Sequence, residues 1–316
     1  MTIAFVFPGQ GAQYVGMGKE LAGAYPEARA AFTTASTVLG FDLTRLAWEG
    51  PDDQLKHTEN TQPAILTASL ASLEVIRARI PAPAITAGLS LGEYTSLVCA
   101  GALEFPDAVR VVRRRGEYMA DAASGIETAM AALMGIDGPT VERICAEARA
   151  HGVVEPANFN SPGQIVIGGE AEAVDHAIEL AKAAGAKRAV KLAVSAPFHT
   201  SLMRSVADRF AAVLEQVTIR RARIPVVSNV TAQPVRQGDE IRKLLIAQVA
   251  SPVRWEQSVQ TMAGRGVTTF VELGPGTTLS GLIRKTVSGV QVLHVEDKES
   301  LAETLKALEK KAQPAR

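Results

Sequence analysis

Ser90 lies between two glycines, in Gly88-Leu89-Ser90-Leu91-Gly92, where a short apolar run (Ala84 to Ala87) meets a helical pattern (Leu91 to Leu103). A serine on a tight strand-to-helix turn, with glycine two residues away on either side, has the spacing of a nucleophile elbow. The glycines let the backbone turn sharply and let a substrate approach. The start of the helix leaves N–H groups free for a developing oxyanion. The chemistry this predicts is covalent acyl transfer through the serine hydroxyl. A plain glycine-flanked turn has the same spelling, so the partners of Ser90 carry the decision.

A serine nucleophile needs a base, and five histidines are available. His57 falls in the polar stretch Lys56-His57-Thr58-Glu59-Asn60, which reads as a solvated loop. His151 follows a helix end and suits a C-terminal cap. His176 falls on the polar face of its helix, and His294 lies in an edge-like strand, Val290 to Val295. His199 differs. It follows the largely apolar run Ala189 to Val194 and the turn Ser195-Ala196-Pro197-Phe198, just before a helix. Sites in α/β proteins assemble on loops at strand ends, so His199 is the candidate base.

Arg115 is the clearest physical anomaly. Ala108, Val111, Val112, Tyr118, Met119 and Ala122 form an apolar stripe, and position 115 falls on it, whereas Arg113 and Arg114 do not. A buried arginine needs a partner. Two partners fit the sequence: a nearby Asp or Glu, or the carboxylate of a substrate held by the planar guanidinium fork. Pro8-Gly9-Gln10-Gly11-Ala12-Gln13 follows the first apolar run, but it lacks the glycine spacing of a phosphate loop. Gln10 on such a turn can offer an amide or backbone N–H to an oxyanion. Gly274-Pro275-Gly276 reads as a structural turn before a helix.

The elements that must position these residues follow from periodicity. Ile3 to Phe7 and Ala84 to Ala87 read as buried strands; Gln62 to Ile80 and Pro106 to Ala123 read as helices. The middle of the chain changes character. Strand Thr128 to Gly135, helix Pro139 to Ala150, strands Val153 to Ala157 and Gln164 to Ile167, helix Ala171 to Ala184 and strand Lys187 to Val194 give the order β-α-β-β-α-β of a ferredoxin-like unit. Residues 126–195 are therefore expected as an inserted small subdomain, with 1–125 and 196–316 as the main α/β core. After the insertion come helix Ser201 to Val217, strand Ile224 to Ser228, helices Glu240 to Val249 and Trp255 to Gly264, and strand Thr268 to Glu272. A helix follows Gly276, an amphipathic helix spans Ser300 to Lys311, and Gln313 to Arg316 is expected to fray.

The 316 residues are 47% hydrophobic, enough for one large core with an insertion. Lys plus Arg equals Asp plus Glu at 33 each, so net charge gives no footprint for nucleic acid or acidic lipid. Cys99 and Cys145 have no metal-ligand spacing around them and suit a reducing compartment. The N-terminus lacks the basic start of a signal peptide. The most apolar window, Ala84 to Leu103, carries Glu93 and reads as core rather than as a membrane span.

Taken together and in order, these segments resemble the malonyl-CoA:acyl carrier protein transacylases, the acyltransferases of fatty acid and polyketide synthesis. The resemblance runs from Phe5-Val6-Phe7-Pro8-Gly9-Gln10-Gly11 through Gly88-Leu89-Ser90-Leu91-Gly92-Glu93-Tyr94, Arg115-Gly116-Glu117-Tyr118-Met119 and Asn158-Phe159-Asn160-Ser161-Pro162-Gly163-Gln164. It continues through Ala196-Pro197-Phe198-His199 and Ser228-Asn229-Val230 to Val271-Glu272-Leu273-Gly274-Pro275-Gly276. It implies an α/β-hydrolase-like core with a ferredoxin-like subdomain. It further implies Ser90 as the acylated nucleophile, His199 as base, and a backbone carbonyl at Gln248 to orient the imidazole. Arg115 would clamp the malonyl carboxylate, and the backbone N–H groups of Gln10 and Leu91 would form the oxyanion hole. Phe198 before His199 resembles the malonyl-selective pattern, in which a bulky ring crowds an α-methyl branch. Leu89 departs from the family, which usually has histidine before the nucleophile; activity is expected to survive, with altered pocket polarity. The resemblance implies malonyl-CoA as substrate, coenzyme A as product, holo acyl carrier protein as partner, and no metal or prosthetic group. The charge balance and hydropathy above call for no nucleic-acid or membrane partner; a cytoplasmic setting is expected, with monomer as the default state. Two rivals remain on the residues: a thioesterase or carboxylesterase, and a docking protein that has lost turnover.

Overall fold

The computed structural model describes residues 1–122, 127–192 and 196–312. In chain order the strands are β1 (Ile3–Phe7), β2 (Ile85–Gly88), β3 (Thr128–Met134), β4 (Val154–Ser161), β5 (Gln164–Glu170) and β6 (Arg188–Lys191), followed by β7 (Val226–Val227), β8 (Pro234–Val235), β9 (Val253–Arg254), β10 (Thr269–Leu273) and β11 (Gln291–Val295). The helices are α1 (Lys19–Ala24), α2 (Pro26–Leu39), α3 (Leu43–Glu49), α4 (Asp52–Lys56), α5 (Thr58–Ile76), α6 (Gly92–Cys99) and α7 (Phe105–Asp121). Then come α8 (Gly138–Ala148), α9 (Ala171–Ala183), α10 (Arg204–Glu215), α11 (Gly238–Val249), α12 (Trp255–Gly264), α13 (Thr278–Thr286) and α14 (Lys298–Ala312).

Two sheets organise the chain. The larger has the order β11-β10-β1-β2-β7-β8, parallel throughout except for the antiparallel pair of β7 and β8. Its inner strands β1 and β10 are buried at every residue. That explains their unbroken apolar spelling, since a parallel sheet covered on both faces has no solvent side. The smaller sheet has the order β6-β3-β5-β4-β9. Helices α8 and α9 cover one face of it, and Val141, Ile144, Val174, Ala177 and Ile178 join Leu133, Ile165 and Ile167 in a separate core.

The helix expected over residues 62–80 starts earlier, at Thr58, and stops at Ile76. The polar stretch from Lys56 to Asn60 looked like a loop because the helix begins inside it. His57 is the N-cap residue, and its carbonyl accepts from the N–H groups of Asn60 and Thr61 at 2.8 Å each. Pro63 sits inside this helix. Its missing N–H leaves the carbonyl of Glu59 unserved, and Arg113 Nη1 donates to that oxygen at 3.0 Å. The segment before it, left without elements on periodicity, holds the short helices α1, α3 and α4 and the longer α2. Short helices carry too few turns for a stripe to stand out. The helix expected over 91–103 is shorter, Gly92–Cys99.

Of the strand expected over 187–194, the described part is Arg188–Lys191; Ala193 and Val194 lie outside the described residues. So do the subdomain's expected end residues, 126 and 195, Ala123 at the end of the 106–123 helix, and the tail Gln313 to Arg316. The small sheet also takes a strand from beyond the insertion. β9 pairs in parallel with β4, with Val253 opposite Asn158 and Arg254 opposite Phe159.

Candidate active site

The site forms where β1 and β2 end side by side, with Phe7 in register with Gly88. Leu89 N–H donates to the Phe7 carbonyl at 3.1 Å, so the elbow leaves the sheet against the Pro8–Gly11 turn. The two glycines of the motif are required by contact. A Cβ on Gly88 would sit 1.9 Å from the carbonyl carbon of Gly92, and one on Gly92 would sit 2.1 Å from the Phe7 oxygen. Gly92→Ala is expected to lower stability by about 3 kcal/mol, the upper end for overpacking, because backbone on both sides of the clash cannot swing away. A urea melt read alongside Ser90 acylation checks this; an unchanged midpoint with full acylation would refute the contact argument.

Ser90 adopts the left-handed region at φ 52° and His199 does so at φ 64°. Such a conformation costs a non-glycine residue of order 1–3 kcal/mol and persists only where neighbours over-determine it. At Ser90 the neighbour is Asn229. Its Oδ1 accepts from Ser90 N–H at 2.6 Å, and its Nδ2 donates to the Gly88 carbonyl at 2.7 Å. The turn is held on both sides of the nucleophile by one amide.

Ser90 Oγ lies 2.7 Å from His199 Nε2, and His199 Nδ1 lies 2.8 Å from the backbone carbonyl of Gln248. A carbonyl can only accept, so Nδ1 carries the proton and Nε2 is left to accept from the serine hydroxyl. His199 is 3% exposed. Burial, with the charge of Arg115 second, pulls its pKa from 6.5 down to about 3. The imidazole is therefore neutral at neutral pH and free to take a proton.

Arg115 lies on the buried face of α7, as its place on the apolar stripe implied, and is 2% exposed. Its Nη1 donates to Gln62 Oε1 at 2.9 Å; its Nη2 donates to Ser90 Oγ and to Gln248 Oε1, both at 3.0 Å. These partners are neutral oxygens, and among the described residues no carboxylate pairs with it. Of the two alternatives the sequence left open, the internal ion pair is absent among the described residues. The Nε–H, on the same edge of the guanidinium as Nη2, is buried without a partner among the described residues. Nη2 thus sits on the nucleophile, and a guanidinium edge of this kind can take one carboxylate side-on.

The backbone N–H of Gln10, on the turn after β1, and that of Leu91, the N-cap residue of α6, have no acceptor among the described residues. Thr58 Oγ1 donates to Gln10 Oε1, which ties the turn to the start of α5. Gln10, Ser90, Arg115 and His199 form the polar end of a cavity of about 240 Å³. Leu89, Met119, Met130 and Phe198 supply apolar wall, and Asn158, Asn160 and Gln164 reach in from the small sheet. Phe198 packs against the main core and also against Met130, Ala132, Ala157 and Val166 under the small sheet. The ring beside the base is thereby held from both layers.

Gln10, Ser90, Arg115, Phe198 and His199 thus line one cavity, Gln248 is hydrogen-bonded to it, and Leu91 stands beside it as the residue after Ser90. The other histidines lie elsewhere. His57 is exposed beside Glu59, His151 stacks on His176 at 4.2 Å, and His294 lies on the edge strand β11. Three site residues escaped the sequence reading: Asn229, Gln62 and Glu93. Asn229 stood in the Ser228-Asn229-Val230 segment without an assigned part. Glu93 carried a signal, being the one acid in the most apolar window. It is 2% exposed, and burial pushes its carboxyl up to about 7, against hydrogen bonds from Gln248 and Asn229 and the charge of Arg115.

A parallel-sheet α/β protein with a serine at a strand-to-helix elbow, a neutral histidine on its hydroxyl and an unpaired arginine beside both is built as an acyltransferase. The acyl transferase domain model matches residues 4–310, and the chain belongs to that family. It is 46% identical over 307 residues to the malonyl CoA-acyl carrier protein transacylase of Bacillus subtilis, covering 97% of each chain. It is also 46% identical to that of Escherichia coli K12, over 96% of this chain and 98% of the other. Its fold is similar to a crystal structure of an acyl carrier protein S-malonyltransferase from Vibrio cholerae, with a TM-score of 0.94, 42% identity, and coverage of 96% and 100% of the two chains. A second structure, of a type II PKS acyl-carrier protein in complex with its malonyl-transacylase, matches at a TM-score of 0.94 and 43% identity, over 97% of this chain and 100% of the other.

Proposed function

We propose that the chain moves a malonyl group from malonyl-CoA to the phosphopantetheine thiol of an acyl carrier protein, through a malonyl-Ser90 intermediate. The observation that carries this reading is Arg115, buried, free of any carboxylate among the described residues, and 3.0 Å from Ser90 Oγ. An esterase for uncharged acyl groups has no use for a buried cation beside its nucleophile. A substrate that brings its own carboxylate does.

In the first half-reaction His199 Nε2 takes the Ser90 proton as Oγ attacks the thioester carbonyl. The oxyanion is held by the N–H groups of Gln10 and Leu91. The carbon–sulfur bond breaks, and coenzyme A leaves with the proton from His199. In the second, His199 takes the proton of the carrier thiol, the thiolate attacks the malonyl ester, and Ser90 recovers its proton. The Gln248 carbonyl keeps the imidazole in one tautomer throughout, in place of a third carboxylate. Arg115 holds the malonyl carboxylate, and the Phe198 ring crowds an α-methyl branch. The proposed steps use no metal or prosthetic group; coenzyme A enters within the substrate and leaves as product.

The same reading takes the larger sheet and its helices as an α/β-hydrolase-like core and residues 126–195 as a ferredoxin-like insertion. The antiparallel order β6-β3-β5-β4 supports the second. No described helix is long and apolar enough to cross a membrane, and the proposed setting is a cytoplasmic monomer serving fatty acid or polyketide assembly. Intact mass after mixing with malonyl-CoA, acetyl-CoA and methylmalonyl-CoA separately tests the function. A malonyl adduct on Ser90, discharged by holo acyl carrier protein and far weaker with the other two, is expected. An adduct lost to water without carrier would make the protein a hydrolase, and no adduct would make it a docking protein.

A further inference from the structure

Glu93 has no part in the proton transfers above, yet it is a buried carboxylate in the middle of the site. It is the second residue of α6, and its N–H donates to the Ser90 carbonyl at 3.1 Å. Its side chain therefore projects from a fixed point relative to the nucleophile. A single oxygen, Oε2, accepts from Gln248 Nε2 at 2.7 Å and from the N–H of Asn229 at 3.1 Å. These two residues govern the two halves of the catalytic pair: Asn229 clamps the Ser90 turn, and Gln248 carries the carbonyl that orients His199. Gln248 cannot turn its amide over without loss. Oε1 faces Arg115, which can only donate, while Nε2 faces the Ser90 carbonyl at 3.1 Å and Glu93, which accept.

We propose that Glu93 is a positioning residue that locks the Ser90 elbow and the His199 anchor into one rigid unit through Asn229 and Gln248. This rests on the Ser90–His199 reading above. The lock also explains a charge arrangement. The Gln248 amide stands between the Glu93 carboxyl and the Arg115 guanidinium, so the two balance at one residue's remove. The fork is left open for a carboxylate from outside.

The test is the rate of Ser90 acylation, by malonyl-CoA and by an uncharged fluorophosphonate, in the wild type and three variants. Glu93→Ala removes the acceptor and is expected to slow both reagents alike, by about 100-fold, the scale of a misplaced catalytic pair. The KM for malonyl-CoA should move little, because the Arg115 edge toward substrate is untouched. Glu93→Gln keeps an acceptor oxygen without the charge and is expected to stay within about threefold of wild type. Glu93→Asp keeps the charge but is one methylene too short and should fall between the two. It supplies the loss-of-reach arm if the alanine variant does not fold. Thermal melts run in parallel identify folded variants. A folded Glu93→Ala or Glu93→Asp protein that acylates at the wild-type rate would overturn the proposal, as would a Glu93→Gln rate as low as that of alanine. If the wild type takes fluorophosphonate but no malonyl mass, the substrate reading fails, and the fluorophosphonate series still decides the role of Glu93.

Discussion

Alanine at His199 is expected to slow malonyl-Ser90 formation by about a million-fold, the scale seen when the serine or histidine of such a unit is removed. Among the described residues, the 2.7 Å contact with Ser90 Oγ is the only route for the serine proton to a neutral base. Arg115, the other group on that oxygen, can only donate. The KM should change little, because the clamp stays in place. Rapid-quench intact mass reads the loss directly, and a fall below tenfold would assign the base elsewhere. The pH dependence has a definite sign. A base works when deprotonated, and burial first and Arg115 second pull His199 from 6.5 down to about 3. The neutral form thus persists on the acid side, and the acid limb of kcat/KM due to His199 is expected well below 6.5. A bound malonate partly cancels the Arg115 charge, so the limb in kcat should lie above the one in kcat/KM. The measurement belongs in the Glu93→Gln background, which removes the buried carboxyl nearest the catalytic pair, pushed by burial up to about 7. A kcat/KM limb centred at the ordinary histidine value would refute the neutral-base account.

Removing the guanidinium by Arg115→Ala is expected to reverse acyl preference rather than abolish chemistry. Losing one partner of a desolvated charge pair costs about 3 kcal/mol, or roughly 100-fold in kcat/KM for malonyl-CoA. Acetyl-CoA brings no carboxylate, and for it the buried cation is only a desolvated charge near the thioester. Its transfer should hold steady or rise. Arg115→Lys should recover only part of the malonyl rate, since an ammonium cannot present the Nε–Nη2 edge to both carboxylate oxygens. Parallel kcat/KM values for the two thioesters give the answer. An equal loss for both would mean that Arg115 serves Ser90 Oγ alone, and an unchanged malonyl rate would end the clamp assignment.

The residues that act were more legible in the sequence than the network that holds them. Ser90 could be found because the elbow demands glycine at two fixed places, and close backbone contacts at Gly88 and Gly92 are the reason. Arg115 could be found because a cation on an apolar stripe violates the rule that shaped the stripe. Asn229 and Gln62 could not be read from spacing. Their parts depend on side-chain contacts across 139 and 53 residues of chain, and an isolated amide leaves no periodic mark. Glu93 was visible as an oddity, but its partners were not. The same contrast holds for the fold. Buried parallel strands such as β1 and β10 spell themselves out, whereas β8 and β9, at two residues each, are shorter than any repeat that could reveal them.

Strand β9 bears on how this protein could be rebuilt for other acyl groups. It comes from beyond the insertion, five residues after Gln248, yet it finishes the small sheet against Asn158 and Phe159. Arg254 N–H also reaches back to the carbonyl of Asn229 at 2.9 Å. Two residues thus stitch the cavity wall to the clamp on the nucleophile. A chimera that exchanges residues 127–192 alone would put a foreign edge against Val253 and Arg254 and disturb the elbow from behind. Transplanting the insertion together with 251–255 treats the seam as the cassette's true border, and wider or narrower pockets become exchangeable parts only when it travels with them.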